Sequence, residues 1–312
     1  MSLWDNRCIK NMSTPKAICL CLIVAFLGCT KTRQPPVRWY YQLQMLQIEV
    51  LEALAAGPPT LFVLEPFELP LATFRDLAGA LKKGGHTLLC YMSIGETGTY
   101  RYYYQALNKR IIKHENAVWK GSYRVDYADP VWQSVFLTKT PEFGPSYVER
   151  LINLGCQGVY LDTVDAFWDD PAAVKKNAQI MADFVVKIKK HGVSLLPSFL
   201  LFTQNATTIY QFLAAPEVFF AAIDGIGIES AYHVGPSWFD NVYAPNKEVL
   251  GEFKTYQSHG KTVFSIEYIQ SGAKIEAYFC QAQTHGVIPL VADRELTGKN
   301  TLYDEKTSFC KK

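Results

Sequence analysis

The amino-acid sequence predicts an α/β fold, a (β/α)8 TIM barrel with an extended insertion after the third strand, and three observations support it. Eight short apolar runs have the composition of strands that are buried on both faces, as in a parallel sheet. Amphipathic helical patterns lie between most of these runs. Carboxylates directly follow several runs, as expected where a barrel opens to solvent.

The candidate strands are residues 39–43, 61–66, 87–93, 158–162, 193–197, 225–229, 262–267 and 287–292. The helical pattern is clearest over residues 172–190, where apolar side chains recur on one side. Residues 95–147 depart from this alternation and predict the insertion, lying over the barrel mouth. A doubly wound sheet is the alternative, but the phosphate-binding glycine motifs of its nucleotide-binding versions do not follow the early strands.

Four of the predicted strands are preceded by a polar or basic helix end that carries His close to Gly. Glycine suits the left-handed residue that ends a helix, and cationic side chains suit a helix carboxyl terminus. This pattern predicts helix caps, at the barrel end opposite an active site, for His86, His191, His259 and His285. Only His233 lies near a candidate catalytic strand end.

The composition, 49% hydrophobic and 19% charged over 312 residues, suits one large globular domain. Residues 1–28 contain three of the 31 basic and one of the 29 acidic residues, so removing them leaves 28 of each. A balanced charge gives no basic surplus for a polyanion. We therefore expect no nucleic-acid partner.

The amino-terminal segment predicts export. Lys16 precedes an apolar run over residues 17–28 that is too short to span a bilayer. The following tetrapeptide, residues 26–29 (FLGC), resembles a bacterial lipobox, which predicts a membrane-anchored lipoprotein, periplasmic or at the cell surface, with lipid on Cys29. The alternatives are a cleaved secretory signal and a buried amino-terminal helix, and Met12 is an alternative start. The predicted organisation is a signal peptide (1–28), a linker (29–38) and the barrel (39–312).

Four cysteines remain after Cys29. Cys90, in an apolar strand, and Cys156, beside a glycine turn, are predicted to be buried thiols, whereas pairing between Cys280 and Cys310 stays open. Neither CxxC nor a Cys/His metal spacing occurs in the sequence, and we expect neither a metal nor an organic cofactor.

Acidic residues cluster at the predicted carboxyl ends of the strands. They are Glu65, Glu96, Asp162, Asp165, Glu229, Glu267 and Asp293, with Asp126 and Asp129 from the insertion. Lysine is absent from these positions and no GxSxG motif occurs, so a Schiff-base or serine nucleophile has no candidate. Two carboxylates of unequal pKa in one cleft are what cleavage of a glycosidic bond requires.

Asp162 and Glu229 fit this chemistry best. The apolar strand before Glu229 is expected to raise the pKa of its carboxyl, which suits an acid/base role, and Asp162 is the candidate nucleophile or base. Asp165 is either a site residue or a helix cap. Sugar rings stack on aromatic faces, and among the many aromatics of this region Tyr91 and Trp119 are the candidate subsite residues.

Several motifs in order resemble glycoside hydrolase family 114, the endo-α-1,4-polygalactosaminidase-like barrels, from about Trp39 to about Asp293. These motifs are residues 91–96 (YMSIGE) followed by Tyr100 and Arg101, residues 125–132 (VDYADPVW), residues 158–167 (GVYLDTVDAF) and residues 224–230 (DGIGIES). The resemblance implies that Asp162 and Glu229 form the catalytic pair, with retention of configuration.

The resemblance also implies that further residues bind the substrate, namely Glu96, Arg101, Asp126 and Tyr127. The substrate would be a galactosamine-rich polysaccharide, whose free amines suit an acidic mouth. The chain departs from the family by having Pro197, Ser198 and Phe199 where an amide pair is expected on the fifth strand, with Gln204 and Asn205 only later. Glu65 and the subsite residue Glu267 also replace expected aspartates.

Two other functions stay open at this point. One is a non-catalytic carbohydrate-binding lipoprotein that reuses the barrel. The other is a barrel enzyme of different chemistry, such as a lyase or a deacetylase, although a deacetylase normally needs a metal cluster that the positions of the histidines do not favour.

Overall fold

The structure is a computed structural model that describes residues 38–303. The predicted signal peptide, the lipid attachment at Cys29 and the linker up to residue 37 lie outside the described residues, as does Cys310. Those features therefore stay predictions.

The described residues contain a barrel sheet and two small antiparallel sheets. In chain order the strands are β1 (Trp39–Gln42), β2 (Leu61–Leu64), β3 (Thr87–Ser93), β4 (Glu96–Gly98), β5 (Ile112–Glu115), β6 (Ser122–Val125), β7 (Gly158–Asp162), β8 (Leu200–Gln204), β9 (Gly225–Glu229), β10 (His233–Val234), β11 (Val242–Tyr243), β12 (Thr262–Glu267), β13 (Ile288–Val291) and β14 (Thr301–Leu302). The barrel sheet has the order β1-β2-β3-β7-β8-β9-β12-β13-β14. Its first eight strands pair in parallel, which confirms the predicted barrel.

Helices connect these strands on the outside of the barrel. They are α1 (Ile48–Ala55), α2 (Leu71–Lys83), α3 (Pro130–Leu137), α4 (Tyr147–Asn153), α5 (Val174–Leu195), α6 (Pro216–Ala222), α7 (Lys247–Ser258) and α8 (Gly272–His285), with 3-10 turns at Tyr104–Ala106, Val164–Asp169 and Ile209–Phe212. Within the described range, none of the helices combines the length and apolar character that a membrane-spanning segment needs.

The segment after β13 closes the gap between the last and first parallel strands. β14 pairs antiparallel with β13, and the Asn300 side-chain amide donates a hydrogen bond to the Tyr41 carbonyl on β1 at 3.1 Å. The Leu43 amide donates to the Leu296 carbonyl at 2.9 Å. The sheet is therefore nearly closed, and its strand ends surround one mouth.

The predicted fifth strand at residues 193–197 is wrong. Helix α5 continues to Leu195, and strand β8 begins only at Leu200. Gly192 lies inside the helix, where a Cβ atom would collide with the ring of Phe199, so close packing and not a helix cap explains this glycine. The cap prediction for His191 is wrong for the same reason, and its ring instead hydrogen-bonds Ser146 Oγ at 2.8 Å.

Aromatic side chains fill the barrel interior. Trp39 stacks on Phe264 with ring centres 4.7 Å apart, and Tyr41 lies 5.2 Å from Tyr160. Strand β9 makes room for them because Gly225 and Gly227 face the interior, where a Cβ atom would collide with the ring of Phe202 on β8 and with the hydroxyl of Tyr160 on β7, respectively. The Tyr160 hydroxyl occupies the space above Gly227. This layer forms the floor of the mouth.

The insertion after β3 is confirmed as a substructure of its own. It contains a three-stranded antiparallel sheet of order β4-β6-β5, followed by α3. Trp132 on α3 is fully buried and donates its indole N–H to the Ile94 carbonyl at 2.9 Å, which attaches the insertion to the end of β3. The insertion therefore lies on the same side as the catalytic strand ends.

Cys90 and Cys156 form a disulfide bond with a Cα–Cα distance of 5.8 Å, so the prediction of two buried thiols is wrong. Both residues are buried, as predicted. The bond joins β3 to the turn before β7, the two neighbouring strands that carry Tyr91 and Asp162. Cys280 also takes part in a disulfide bond.

Replacing both Cys90 and Cys156 with Ala is expected to lower the free energy of unfolding by about 4 kcal/mol, because the bond closes a span of 66 residues. Urea denaturation of the double variant and the parent protein measures this difference. Reductant should destabilise the parent by a larger amount than the double variant. Equal denaturation midpoints without reductant would contradict the prediction.

Candidate active site

Asp162 is the last residue of β7, and both of its carboxylate oxygens accept a hydrogen bond. The Tyr91 hydroxyl on the neighbouring strand β3 donates to Oδ2 at 2.6 Å. The Thr163 backbone N–H donates to Oδ1 at 2.6 Å. Both donors stabilise the ionised carboxylate and fix its orientation towards the mouth.

Glu229 is the last residue of β9, and its carboxylate is held in a similar way. The Asn205 amide after β8 donates to Oε2 at 2.9 Å, and its carbonyl oxygen accepts from the Glu229 N–H at 3.1 Å. The Tyr268 hydroxyl after β12 donates to Oε1. Four oxygen atoms of two carboxylates thus each have a donor.

The two carboxylates face a common space. Tyr160 lies in the aromatic layer that forms the floor of the mouth. Its pKa is raised mainly by burial and then by the charges of both Glu229 and Asp162. The pKa of Tyr41 is raised by burial and by the charges of the same two carboxylates. The structure therefore brings the predicted catalytic pair together above one tyrosine floor.

The carboxyl of Asp162 has a pKa above its ordinary value. Burial raises the pKa of Asp162 to about 7, and the charges of Glu229 and Asp165 contribute in the same direction. The hydrogen bonds from Tyr91 and Thr163 oppose the rise. At neutral pH this carboxyl is therefore poised between its two protonation states.

Asp165 faces the same space from the 3-10 turn after β7. Burial raises the pKa of its carboxyl, the Arg124 guanidinium lowers it, and the charge of Glu229 raises it. No helix-capping hydrogen bond of the Asp165 side chain is found within residues 38–303. Asp165 is therefore a third carboxylate close to Asp162 and Glu229.

Three neighbouring strands of the barrel end in the same unusual way. The residues that directly follow β7, β8 and β9 are Thr163, Asn205 and Ser230, with φ angles of 57°, 53° and 54°. Left-handed backbone is unfavourable for residues with a Cβ atom, above all for a β-branched residue such as Thr163, and it concentrates at functional sites. This turn bends the chain away directly after the strand-end residue.

Glu96 and Trp119 lie in the insertion above the site. Glu96 is buried, accepts from the Asn116 amide at 2.8 Å and lies 3.4 Å from Arg124. Trp119 is 37% exposed, and its ring meets that of Trp238 edge-on with centres 5.5 Å apart. The insertion and the segment after β9 thus touch through two tryptophans.

Arg101 lies in the interior, next to the second strand. Its guanidinium forms two hydrogen bonds with Glu65, at 2.7 and 2.9 Å, and one with the Tyr147 hydroxyl at 2.8 Å. The neighbouring Tyr100 is 69% exposed, and the centre of its ring lies 4.9 Å from the guanidinium carbon of Arg101. Glu65, the longer acid at the second strand, therefore holds Arg101.

Asp126 and Tyr127 lie at the edge of the insertion. Asp126 is half-buried and pairs with Lys113 at 3.5 Å. The Tyr127 hydroxyl donates to the carbonyl of Asn177 on α5 at 3.4 Å, which directs this side chain towards the outer helix. Neither residue contacts Asp162 or Glu229 within the described part of the chain.

Glu267, at the end of β12, is fully buried. It accepts hydrogen bonds from the backbone N–H groups of Tyr232 and His233, both at 2.9 Å, and from the His233 ring at 3.3 Å. These bonds attach the segment after β9 to β12. Glu267 thus holds the loop that begins next to Glu229.

Sequence reasoning missed the contacts that two residues of this site, Asn205 and Tyr268, make with Glu229. The amide pair Gln204 and Asn205 lies at the carboxyl end of β8, which is the fifth parallel strand of the barrel. Gln204 accepts from the Tyr41 hydroxyl at 2.7 Å. The sequence signal that could have indicated Asn205 is the pair of neighbouring amide side chains, Gln204 and Asn205, directly at the end of a strand.

The fold and the paired strand-end carboxylates define a TIM-barrel protein with the site of a carbohydrate-active enzyme. The model of glycoside-hydrolase family GH114 matches residues 27–312. The chain therefore belongs to that family and is a glycoside hydrolase. An uncharacterised protein of Deinococcus radiodurans is 30% identical over 275 residues, which cover 83% of this chain and 80% of that protein.

Two solved structures share the fold. The glycoside hydrolase domain of PelA from Pseudomonas aeruginosa has a TM-score of 0.65 at 19% identity, covering 86% of this chain and 98% of that one. Aspergillus fumigatus Ega3, solved in complex with galactosamine, also has a TM-score of 0.65, at 15% identity, covering 86% of this chain and 97% of that one.

Asp162→Asn is expected to stabilise the protein above pH 7. The native pKa of about 7 exceeds the ordinary value of 3.8, so between about pH 4 and 7 the native state holds a proton that the unfolded state releases. Stability therefore falls as pH rises through this window, and the neutral amide removes that loss. The gain at pH 8 is on the order of 4 kcal/mol.

Thermal denaturation from pH 4 to pH 8 measures this effect, and the difference should vanish near pH 4. Asp240→Asn is the control, because a hydrogen bond from Lys274 lowers the pKa of Asp240. That variant should gain no stability at pH 8. A parent protein at least as stable as Asp162→Asn at pH 8 would contradict the prediction.

Proposed function

We propose that this protein is an endo-acting glycoside hydrolase that cleaves an α-1,4-linked galactosamine-containing polysaccharide with retention of configuration. The observation that carries the proposal is the arrangement of Asp162 and Glu229, which face one space with all four carboxylate oxygens hydrogen-bonded. Cleavage of a glycosidic bond uses such a pair, one member ionised and one protonated.

Asp162 is the nucleophile in this proposal, and Glu229 is the acid/base. Donors from Tyr91 and Thr163 stabilise the ionised form of Asp162, as attack on the anomeric carbon requires. Glu229 protonates the leaving oxygen and then deprotonates the water that releases the sugar. Because the two groups interact, the pair holds its protons jointly, and substrate binding decides which member keeps the proton.

The charge of the site supports an amine-bearing substrate. Asp162, Asp165 and Glu229 act on one another electrostatically at the mouth. A protonated 2-amino group next to them lowers the pKa of Asp162 and favours its ionised form when substrate is present. An uncharged N-acetyl sugar would lack this effect, which favours de-acetylated galactosamine.

The Cys90–Cys156 disulfide supports an exported protein, because disulfide bonds persist in oxidising compartments. Because the disulfide and the lipobox-like residues 26–29 both favour export, we propose that the protein is a lipoprotein attached to a membrane through Cys29. Growing cells that express either the parent protein or a Cys29→Ala variant with radioactive palmitate tests this localisation. The parent protein should carry the label, and the variant should not.

Asp162→Asn and Glu229→Gln are each expected to lower kcat on a de-acetylated galactosamine polymer by at least about 1,000-fold, since each removes one of the two groups that the reaction needs. Release of short oligomers, followed by mass spectrometry, measures the rate. Asp183→Asn, on the outer face of α5, is the matched carboxylate control and should keep the parent rate. Full activity in both site variants would refute the proposed pair.

The first product released should have the same anomeric configuration as the cleaved bond. Retention follows from two successive displacements at the anomeric carbon, the first by Asp162 and the second by water. Proton NMR of the reaction within the first minutes, before mutarotation, distinguishes the anomers. An inverted first product would assign Asp162 as a base that activates water.

A further inference from the structure

Arg294, which follows β13, packs on Tyr268, the tyrosine that contacts the acid/base candidate Glu229. Its guanidinium carbon is 4.9 Å from the centre of the Tyr268 ring, and the hydroxyl of that buried ring donates to Glu229 Oε1. A cation, an aromatic ring and a carboxylate thus follow one another. We propose that Arg294 is a positioning residue for Glu229 and acts through Tyr268, an inference that rests on the proposed function.

Arg294 is fixed by contacts other than this ring. Its guanidinium donates to the Gly235 carbonyl at 2.8 Å, and its backbone N–H donates to the Trp238 carbonyl at 3.0 Å. Both carbonyls belong to the segment that leaves β9 directly after Glu229. The same residue therefore holds the ring that contacts Glu229 and the loop that follows it.

The physical effect of this cation is electrostatic as well as steric. A guanidinium on the face of a phenol ring is attracted by the ring electrons and makes the hydroxyl a better donor. Burial and the charge of Glu229 raise the pKa of Tyr268, whereas Arg294 lowers it. Tyr268 then holds Oε1 while Asn205 holds Oε2, which fixes the Glu229 side chain facing Asp162.

The titratable and charged groups that face Glu229 and Tyr268 from the neighbouring elements are Tyr41, Tyr160, Asp162, Asp165 and Arg294, and Tyr91 faces Asp162. Two other cations act on the margin of this group, Arg101 on Tyr91 and Arg124 on Asp165, whereas Arg294 is the cation that acts on Tyr268, the donor to Glu229. Removing Arg294 therefore leaves the carboxylate pair with less positive potential, and both of its protonation steps move to higher pH.

The chain offers a matched control in Arg150. Its guanidinium lies 4.2 Å from the centre of the Tyr102 ring and donates to the carbonyls of Phe143 and Pro145, at 3.0 and 3.3 Å. It therefore repeats the features of Arg294, a cation on a tyrosine face and an anchor for a loop. Tyr102, however, stacks on Tyr147 and is not among the groups that contact Glu229.

The experiment compares Arg294→Met, Arg294→Lys and Arg150→Met in the full chain. Arg294→Met should lower kcat on the galactosamine polymer about 10- to 100-fold with little change in KM, and should move the bell-shaped pH profile to higher pH. Arg294→Lys keeps the charge and should keep the profile in place while recovering part of kcat. Arg150→Met should lower thermal stability without changing kcat or the profile.

A second readout does not depend on turnover. In protein labelled with 13C-tyrosine, the Tyr268 Cζ resonance, assigned with Tyr268→Phe, should shift in Arg294→Met and stay in Arg150→Met. If Arg294→Met behaves like Arg150→Met in kcat, pH profile and resonance, the positioning role is overturned. If the parent protein cleaves no such polymer, the proposed function fails, and the Tyr268 resonance alone decides whether Arg294 controls the donor to Glu229.

Discussion

Two carboxyl groups of like charge share one poorly solvated space, and the rest of the site exists to hold them there. Each of their oxygens has a donor, and the donors are Tyr91, the Thr163 backbone, Asn205 and Tyr268. These groups come from four different strand ends of the barrel. A shift of any of these strands by one residue would turn its donor or acceptor to the other face. The site therefore depends on the closed, correctly registered sheet.

The mouth combines several locally unfavourable features. Asp162 has a raised pKa, three strand ends continue into left-handed residues, and the Tyr160 hydroxyl is buried without a partner among residues 38–303. Such features persist only where the surroundings over-determine the conformation. Here the aromatic interior beneath the mouth and the disulfide beside Tyr91 supply that rigidity. The stabilising contacts therefore lie beneath and beside the site, and the strained left-handed residues lie at the strand ends that surround it.

Sequence reasoning predicted the barrel, its insertion and the catalytic candidates because these depend on local patterns. Acids directly after apolar runs are readable, and seven of the predicted strands overlap observed strands. The fifth strand was misplaced because a His-Gly pair that elsewhere ends a helix lies here within α5, where Phe199 packs onto Gly192. The same error concealed the contact between Asn205 and Glu229, because that contact can be expected only once Asn205 is placed at the end of a barrel strand.

Other features depend on contacts between distant parts of the chain. The pairing of Cys90 with Cys156 follows from the register between β3 and β7, which no local pattern reveals. Burial and the charges of Glu229 and Asp165 raise the pKa of Asp162, and the sequence around Asp162 did not reveal that environment. Tyr268 and Arg294 are ordinary residues in the sequence and gain their roles only from what they touch.

Strand β9 reads GIGIE, and its inward side is bare backbone up to Glu229. Because Gly225 and Gly227 have no side chains, the ring of Phe202 on the neighbouring strand β8 and the hydroxyl of Tyr160 on β7 occupy the space that Cβ atoms would fill. Any larger residue there would collide with these rings and displace them. The floor of the mouth therefore tolerates little substitution. We expect differences in substrate preference between proteins of this fold to lie in the surrounding loops, where a change leaves the two acids undisturbed.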